Sequence, residues 1–134
     1  MCCTDRTPRI SVIMGAYNIA DLDIFPQAIQ SIRSQSLGDL ELIICDDGST
    51  DRTWEVLKTI AKQDNRIRLL RSGRNEGLAA ALNRCIAAAR GRYIARQDAD
   101  DISDLSRLEK QSRFLDAHME IQFVGSDTEL FDQN

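Results

Sequence analysis

Short β-branched apolar runs alternate with amphipathic helical patterns along almost the whole of this 134-residue chain. No other feature constrains the fold so tightly. Residues 9–15 (RISVIMG) and 39–46 (DLELIICD) are apolar on both sides of the strand axis, the pattern of strands buried on two faces. Residues 66–71 (RIRLLR), 92–97 (RYIARQ) and 121–125 (IQFVG) predict three further strands. Between them, residues 24–35 place Phe25, Ala28, Ile29 and Ile32 on one helical face. Residues 51–63 do the same with Leu57, Ile60 and Ala61, behind cap candidates Ser49, Thr50 and Asp51. Residues 77–89 align Leu78, Leu82, Cys85, Ile86 and Ala89, and residues 105–118 align Leu105, Leu108, Ser112 and Leu115. Strand–helix alternation of this kind predicts an α/β fold: a mainly parallel, doubly wound, Rossmann-like sheet with helices on both faces and right-handed crossovers.

Composition sets limits on function. Hydrophobic residues make up 43% and charged residues 28%, the balance of an ordinary globular domain. The formal net charge of −4 argues against a nucleic-acid partner. No apolar stretch approaches the length of a membrane span, and MCCTDRTPR lacks the apolar core of a signal peptide. Of the four cysteines, Cys2 and Cys3 lie in a polar tail while Cys45 and Cys85 lie inside apolar runs, which predicts reduced thiols rather than disulfides or a zinc site. The expected location is therefore the cytoplasm, including the inner face of the membrane. His118 has no partner for metal chemistry nearby, and Trp54 falls on a helix as a packing residue.

In open α/β sheets, ligands bind beyond the carboxyl ends of the strands. Four consecutive strands deliver Ala16-Tyr17-Asn18, Asp46-Asp47-Gly48-Ser49-Thr50-Asp51, Ser72-Gly73-Arg74-Asn75-Glu76-Gly77 and Asp98-Ala99-Asp100-Asp101 to that edge. Three carboxylates within four residues repel one another unless a cation is present, and hard oxygen ligands suit Mg2+ or Mn2+. Asp98, Asp100 and Asp101 are thus metal candidates. A carboxylate at the second strand tip, Asp46 or Asp47, could accept hydrogen bonds from a base or a ribose, and Tyr17 offers a flat face for stacking. Arg71 and Arg74 could approach a phosphate. Other doubly wound proteins fit less well. No G-x-G-x-x-G follows the first strand, no acidic pair stands there as in a receiver domain, and no glycine- and arginine-rich loop stands there as in a sugar nucleotidyltransferase.

The segments ISVIMGAYN, ELIICDDGSTDRT, NEGLAAALN and GRYIARQDADD, in this order and spacing, resemble the family 2 glycosyltransferases of the GT-A fold. The resemblance runs from about residue 9 to 125. It implies that the intact enzyme transfers a sugar from a nucleoside diphosphate-sugar, with UDP-sugars the usual donors, to a sugar or lipid-linked acceptor hydroxyl, with inversion. It implies further that Tyr17 lines the nucleobase pocket and that Asp47, with Asp46 beside it, hydrogen-bonds the base. Asp98 would contact ribose, donor sugar or metal, Asp100 would coordinate the metal, Asp101 would support it, and Asn75 and Arg96 would lie near the donor. The chain departs from the family's pattern at Gly15 and Ala16 before the Tyr-Asn pair. It departs again at Leu105, where relatives often carry proline. It stops at Asn134, before the segment in which the family carries its catalytic base and builds its acceptor pocket. Residues 1–134 are therefore expected to form a single nucleotide-sugar-binding domain with frayed ends (1–8 and the last few), Glu129 and Asp132 being tail acids. Any peripheral membrane association would come through parts outside this chain. The alternative expectation is a non-catalytic nucleotide-sugar-binding module.

Overall fold

The computed structural model describes residues 6–130. Four strands and four helices alternate strictly: β1 (Ile10–Ala16), α1 (Ile24–Arg33), β2 (Leu40–Asp46), α2 (Thr53–Ala61), β3 (Ile67–Arg71), α3 (Leu78–Ala88), β4 (Tyr93–Arg96) and α4 (Arg107–Ala117). The sheet is ordered β3-β2-β1-β4, and every pairing is parallel. β1 and β2 pair over seven residues, from Ile10 opposite Leu40 to Ala16 opposite Asp46. Both are buried almost throughout, as their uninterrupted apolar runs predict.

Alternate side chains of the strands enter two separate cores. Ile10, Val12, Met14 and Ala16 of β1 meet Phe25, Ile29 and Ile32 of α1, Leu57 of α2 and Leu108 of α4. Ile13, with Ile43 and Cys45 of β2, faces Ala81 and Cys85 of α3 on the other side. Helices thus cover both faces, but unequally. Phe25, Ile29, Ile32 and Leu57 are fully buried, each contributing roughly 1.5–3 kcal/mol by leaving water. The helical stripes of α1 and α2 are those predicted. That of α3 is turned: Ala81 and Cys85 are buried, while Leu78 and Ile86 stay about half exposed. Small residues let α3 lie close to the sheet. At Gly15 the approach is so close that a Cβ would come within 2.7 Å of the Leu78 side chain.

Two expectations are corrected. Among the described residues no fifth strand forms, and Phe123 in that segment is 87% exposed. Strand preference is largely a preference for packing against neighbours. Here the neighbouring edge of β4 is four residues long, its Arg96 carbonyl accepts from the Arg107 guanidinium, and the Ile121 N–H turns back to the His118 carbonyl. Pro8, placed in the frayed terminus, is buried, and its carbonyl accepts the Arg92 N–H. Asp132, Cys2 and Cys3 lie outside the described residues.

At the amino ends of the strands a buried carboxylate ties the elements together. Glu41 on β2 lies opposite Ser11 of β1 and is 3% exposed. It accepts the Ser11 hydroxyl (2.6 Å), the Arg90 N–H (2.8 Å), the Arg90 side chain (3.0 and 3.2 Å) and Arg68 Nη1 (2.9 Å). Gly91 is pressed against this cluster; a Cβ there would stand 2.4 Å from the Ser11 nitrogen. Burial alone would raise the Glu41 pKa, but these hydrogen bonds outweigh it and lower the pKa to about 2. The stabilisation is complete above the ordinary carboxylate pKa and drains away as pH falls towards 2. Glu41→Gln should cost roughly 2–3 kcal/mol at pH 7 and should lose less stability than the parent chain between pH 5 and 2.5, as read by urea unfolding at a series of pH values.

Candidate functional site

All four strands run parallel, so the loops after β1, β2, β3 and β4 gather beyond the carboxyl ends of the strands. Three are bolted together. Asn18, at φ 49°, takes the left-handed conformation that asparagine tolerates. Its Oδ1 accepts the Thr50 N–H (2.8 Å) and the Asp51 N–H (3.3 Å), and its own N–H donates to Ser49 Oγ (3.0 Å). Asp51 accepts the Ala20 N–H and the Thr53 N–H just before α2 begins. The β1 loop and the start of α2 therefore move as one piece, and Tyr17 projects from it 43% exposed.

Asp47 joins the second loop to the third. It is 3% exposed and accepts the Gly77 N–H at 2.7 Å and the Glu76 N–H at 3.1 Å, at the amino end of α3. A carboxylate there meets two backbone donors and the positive end of the helix. Asp46 is fully buried. Its Oδ1 accepts the Ser49 N–H (3.1 Å), and its Oδ2 forms an ion pair with Arg71 Nε at 3.0 Å but receives no hydrogen bond. Arg71, a candidate for phosphate contact, instead lies 5.1 Å over the Trp54 ring, and Trp54 packs against the core as predicted. Arg74 and Asn75 are exposed. Gly48, at φ +71°, is where the second and third loops touch; a Cβ would stand 2.4 Å from the Arg74 backbone carbon.

The acidic turn after β4 is built differently. No side chain of the first three loops hydrogen-bonds to it; a buried glutamine holds it. Gln97 Nε2 donates to the carbonyls of Asp98 (3.2 Å) and Asp101 (2.6 Å), and its Oε1 accepts from Ser103 Oγ (2.6 Å) and Arg107 Nη1 (2.8 Å). Arg107 also donates to the Arg96 carbonyl (2.8 Å), and burial pushes its pKa down. Sequence reasoning missed the roles of Gln97 and Asn18. Their signal was slight: one polar residue at a strand end, one asparagine in a loop.

Asp98 takes a two-pronged ion pair from Arg96, with Nε at 2.9 Å from Oδ1 and Nη2 at 3.1 Å from Oδ2. That contact raises the Arg96 pKa. Asp100 and Asp101 are exposed and make no side-chain hydrogen bond or ion pair among the described residues. Nor, among the described residues, do three acidic, histidine or cysteine side chains converge into a group able to hold a metal alone. Exposed hard oxygens with an open side suit Mg2+ or Mn2+, which keep waters and share coordination with substrate phosphates. A groove of about 460 Å3 between β4, α4 and residues 122–124 lies along the open sheet edge rather than at the strand tips.

The sequence pattern described as glycosyl transferase family 2 matches residues 11–128. EpsE of Bacillus subtilis (strain 168) is 47% identical over 127 residues, a match that covers 94% of this chain and 45% of EpsE. WfaP of Escherichia coli, named as a UDP-Glc:alpha-D-GlcNAc-diphosphoundecaprenol beta-1,3-glucosyltransferase, is 36% identical over 107 residues, 80% of this chain and 41% of WfaP. This chain therefore spans less than half the length of these relatives. Among solved structures, the mannosyltransferase PcManGT from Pyrobaculum calidifontis in complex with GDP-Man and Mn2+ superposes with a TM-score of 0.72 at 25% identity, over 83% of this chain and 33% of that one. No helix among the described residues is long and apolar enough to cross a membrane.

The contact at Gly48 is open to direct test. Gly48→Ala places a side chain at positive φ and against the Arg74 backbone, and should destabilise the chain by roughly 2–3 kcal/mol in urea unfolding.

Proposed function

This chain belongs to glycosyl transferase family 2, and from that premise we propose that it binds a nucleoside diphosphate-sugar across its strand tips with the help of a divalent cation. The observation that supports this most is the pairing of two unlike surfaces at one edge. A rigid wall built from the loops after β1, β2 and β3 carries an exposed aromatic ring. Beside it a glutamine-braced turn presents Asp100 and Asp101 to solvent.

In this reading the base stacks on Tyr17. Asp47 holds the wall against α3 and keeps lone-pair capacity for a base N–H, since a carboxylate offers about four acceptor positions. Asp46 braces the same wall through Ser49 and Arg71. Asn75 stands exposed on the third loop, within the donor region. Asp98 and Asp100 hold the cation, with Asp101 alongside adding negative charge. Mn2+ or Mg2+ there would offset the charge that develops on the leaving diphosphate. Uridine is the base we propose. The donor is the nucleotide-sugar side of an inverting transfer to an acceptor hydroxyl on a sugar or a lipid-linked sugar. That reaction needs a base within hydrogen-bond reach of the hydroxyl. We assign none of the described residues to that role, Glu129 included.

The two surfaces separate by calorimetric titration with UDP, GDP and ADP, with Mn2+ and with a chelator. UDP should bind more tightly with metal. Asp100→Ala should remove that gain while leaving the metal-free affinity unchanged. Asp47→Ala should weaken UDP with or without metal, by roughly 1–3 kcal/mol. Equal affinity of the parent chain in Mn2+ and in chelator would remove the metal from this reading; identical profiles for the two variants would remove the division of roles.

A further inference from the structure

The acidic turn carries a cation of its own. Arg96 is the last residue of β4 and Asp98 stands two residues beyond it. The guanidinium meets both carboxylate oxygens at once, at 2.9 and 3.1 Å. While that contact stands, the guanidinium takes one lone-pair position on each Asp98 oxygen and sets a positive charge against the side from which a metal would bridge them. Asp100 and Asp101 add two further negative charges, without side-chain partners among the described residues, within three positions. An acidic group of this density calls for a positive charge in the absence of ligand, and Arg96 supplies it.

The pair is built to separate. Both partners are well exposed, 56% and 39%, and an exposed ion pair contributes about 0–1 kcal/mol. The backbone beneath is fixed. The Arg96 carbonyl accepts from Arg107, the Gln97 N–H donates to the Ile13 carbonyl, and Gln97 pins the carbonyls of Asp98 and Asp101. Releasing Asp98 therefore requires a change of side-chain rotamer at Arg96 and no movement of the turn. An arginine swung away from its carboxylate keeps a planar fork suited to phosphate oxygens.

We propose that Arg96 is an exchangeable counter-ion: it occupies Asp98 in the ligand-free chain, yields it to the incoming divalent cation, and turns its fork to the diphosphate that arrives with that cation. This rests on the donor-site reading above and adds to it a residue with opposite effects on the two ligands. Arg96 competes with the metal and cooperates with the nucleotide. A residue that merely shaped the turn would push both affinities the same way.

The test measures the two affinities separately on the 134-residue chain. Mn2+ alone is titrated by the electron paramagnetic resonance signal of the free ion, and UDP is titrated by calorimetry at saturating Mn2+. Arg96→Ala should bind Mn2+ about three- to fivefold more tightly than the parent chain, the range that loss of an exposed ion pair allows. It should bind UDP about five- to tenfold more weakly. Arg96→Lys, which keeps the charge without the fork, should shift each affinity in the same direction by less. Affinities that are both unchanged in Arg96→Ala, or that both rise or both fall, would overturn the exchange and leave the donor site standing. A parent chain that binds none of UDP, GDP or ADP with Mn2+ would overturn the donor-site reading and the exchange together.

Discussion

Parallel pairing of β1 with both of its neighbours is the constraint from which the rest follows. A parallel pair cannot be closed by a tight hairpin; each connection must cross back over the sheet, and here each does so through a helix. Every strand therefore ends at the same edge. Tyr17, Asp47, Asn75 and Asp98, which are far apart in the chain, reach one neighbourhood without any contact selecting them for it. The helices that carry the chain back also present their amino ends there. That is why Asp47 can satisfy two backbone donors at the start of α3.

The carboxylates of this molecule divide by what neutralises them. Glu41, at the opposite edge, is enclosed by two guanidinium groups, a hydroxyl and a backbone donor, and works as a rivet between β2, β3 and the connection into β4. Asp46 and Asp47 are at least as buried and take backbone donors from the loops they hold, Asp46 adding an ion pair to Arg71 of β3. Asp100 and Asp101 take none among the described residues. Burial of an acid goes with internal donors in every case, as the cost of desolvating a charge demands. Asp100 and Asp101 stand without such donors on a turn whose Asp98 and Asp101 carbonyls are held by Gln97.

The sequence was most readable where one force dominated. β1 and β2 are buried on both faces, so hydrophobicity alone marks them. α1 carries a regular apolar stripe against a large core. Legibility failed where two effects competed. The β-branched segment at 121–125 has strand composition but meets a four-residue edge whose last carbonyl is already occupied. The stripe on α3 follows its larger apolar residues, yet close packing over Gly15 favours its small ones. At the site, residue types and their order disclosed the strand tips and the acidic turn. Three features stayed hidden: that Asp47 would face a helix start, that Arg71 would lie on Trp54, and that Arg96 would clasp Asp98. Those depend on side-chain directions, which spacing along a chain does not encode.

The uneven covering of the sheet has a kinetic meaning. Five buried residues form the core on the α3 side, against thirteen on the other. Local opening occurs most readily where the fewest apolar contacts are lost. α3 alone covers the thinner side, with Ala81 and Cys85 as its buried residues, so its opening would uncover that whole face at once. Its amino end is also what Asp47 grips, so opening of this helix would free the second loop from the third in the same event. Opening of α3 alone would therefore unlatch those two loops on a clock faster than unfolding of the chain. Amide exchange at Glu76 and Gly77 would tick at the same rate.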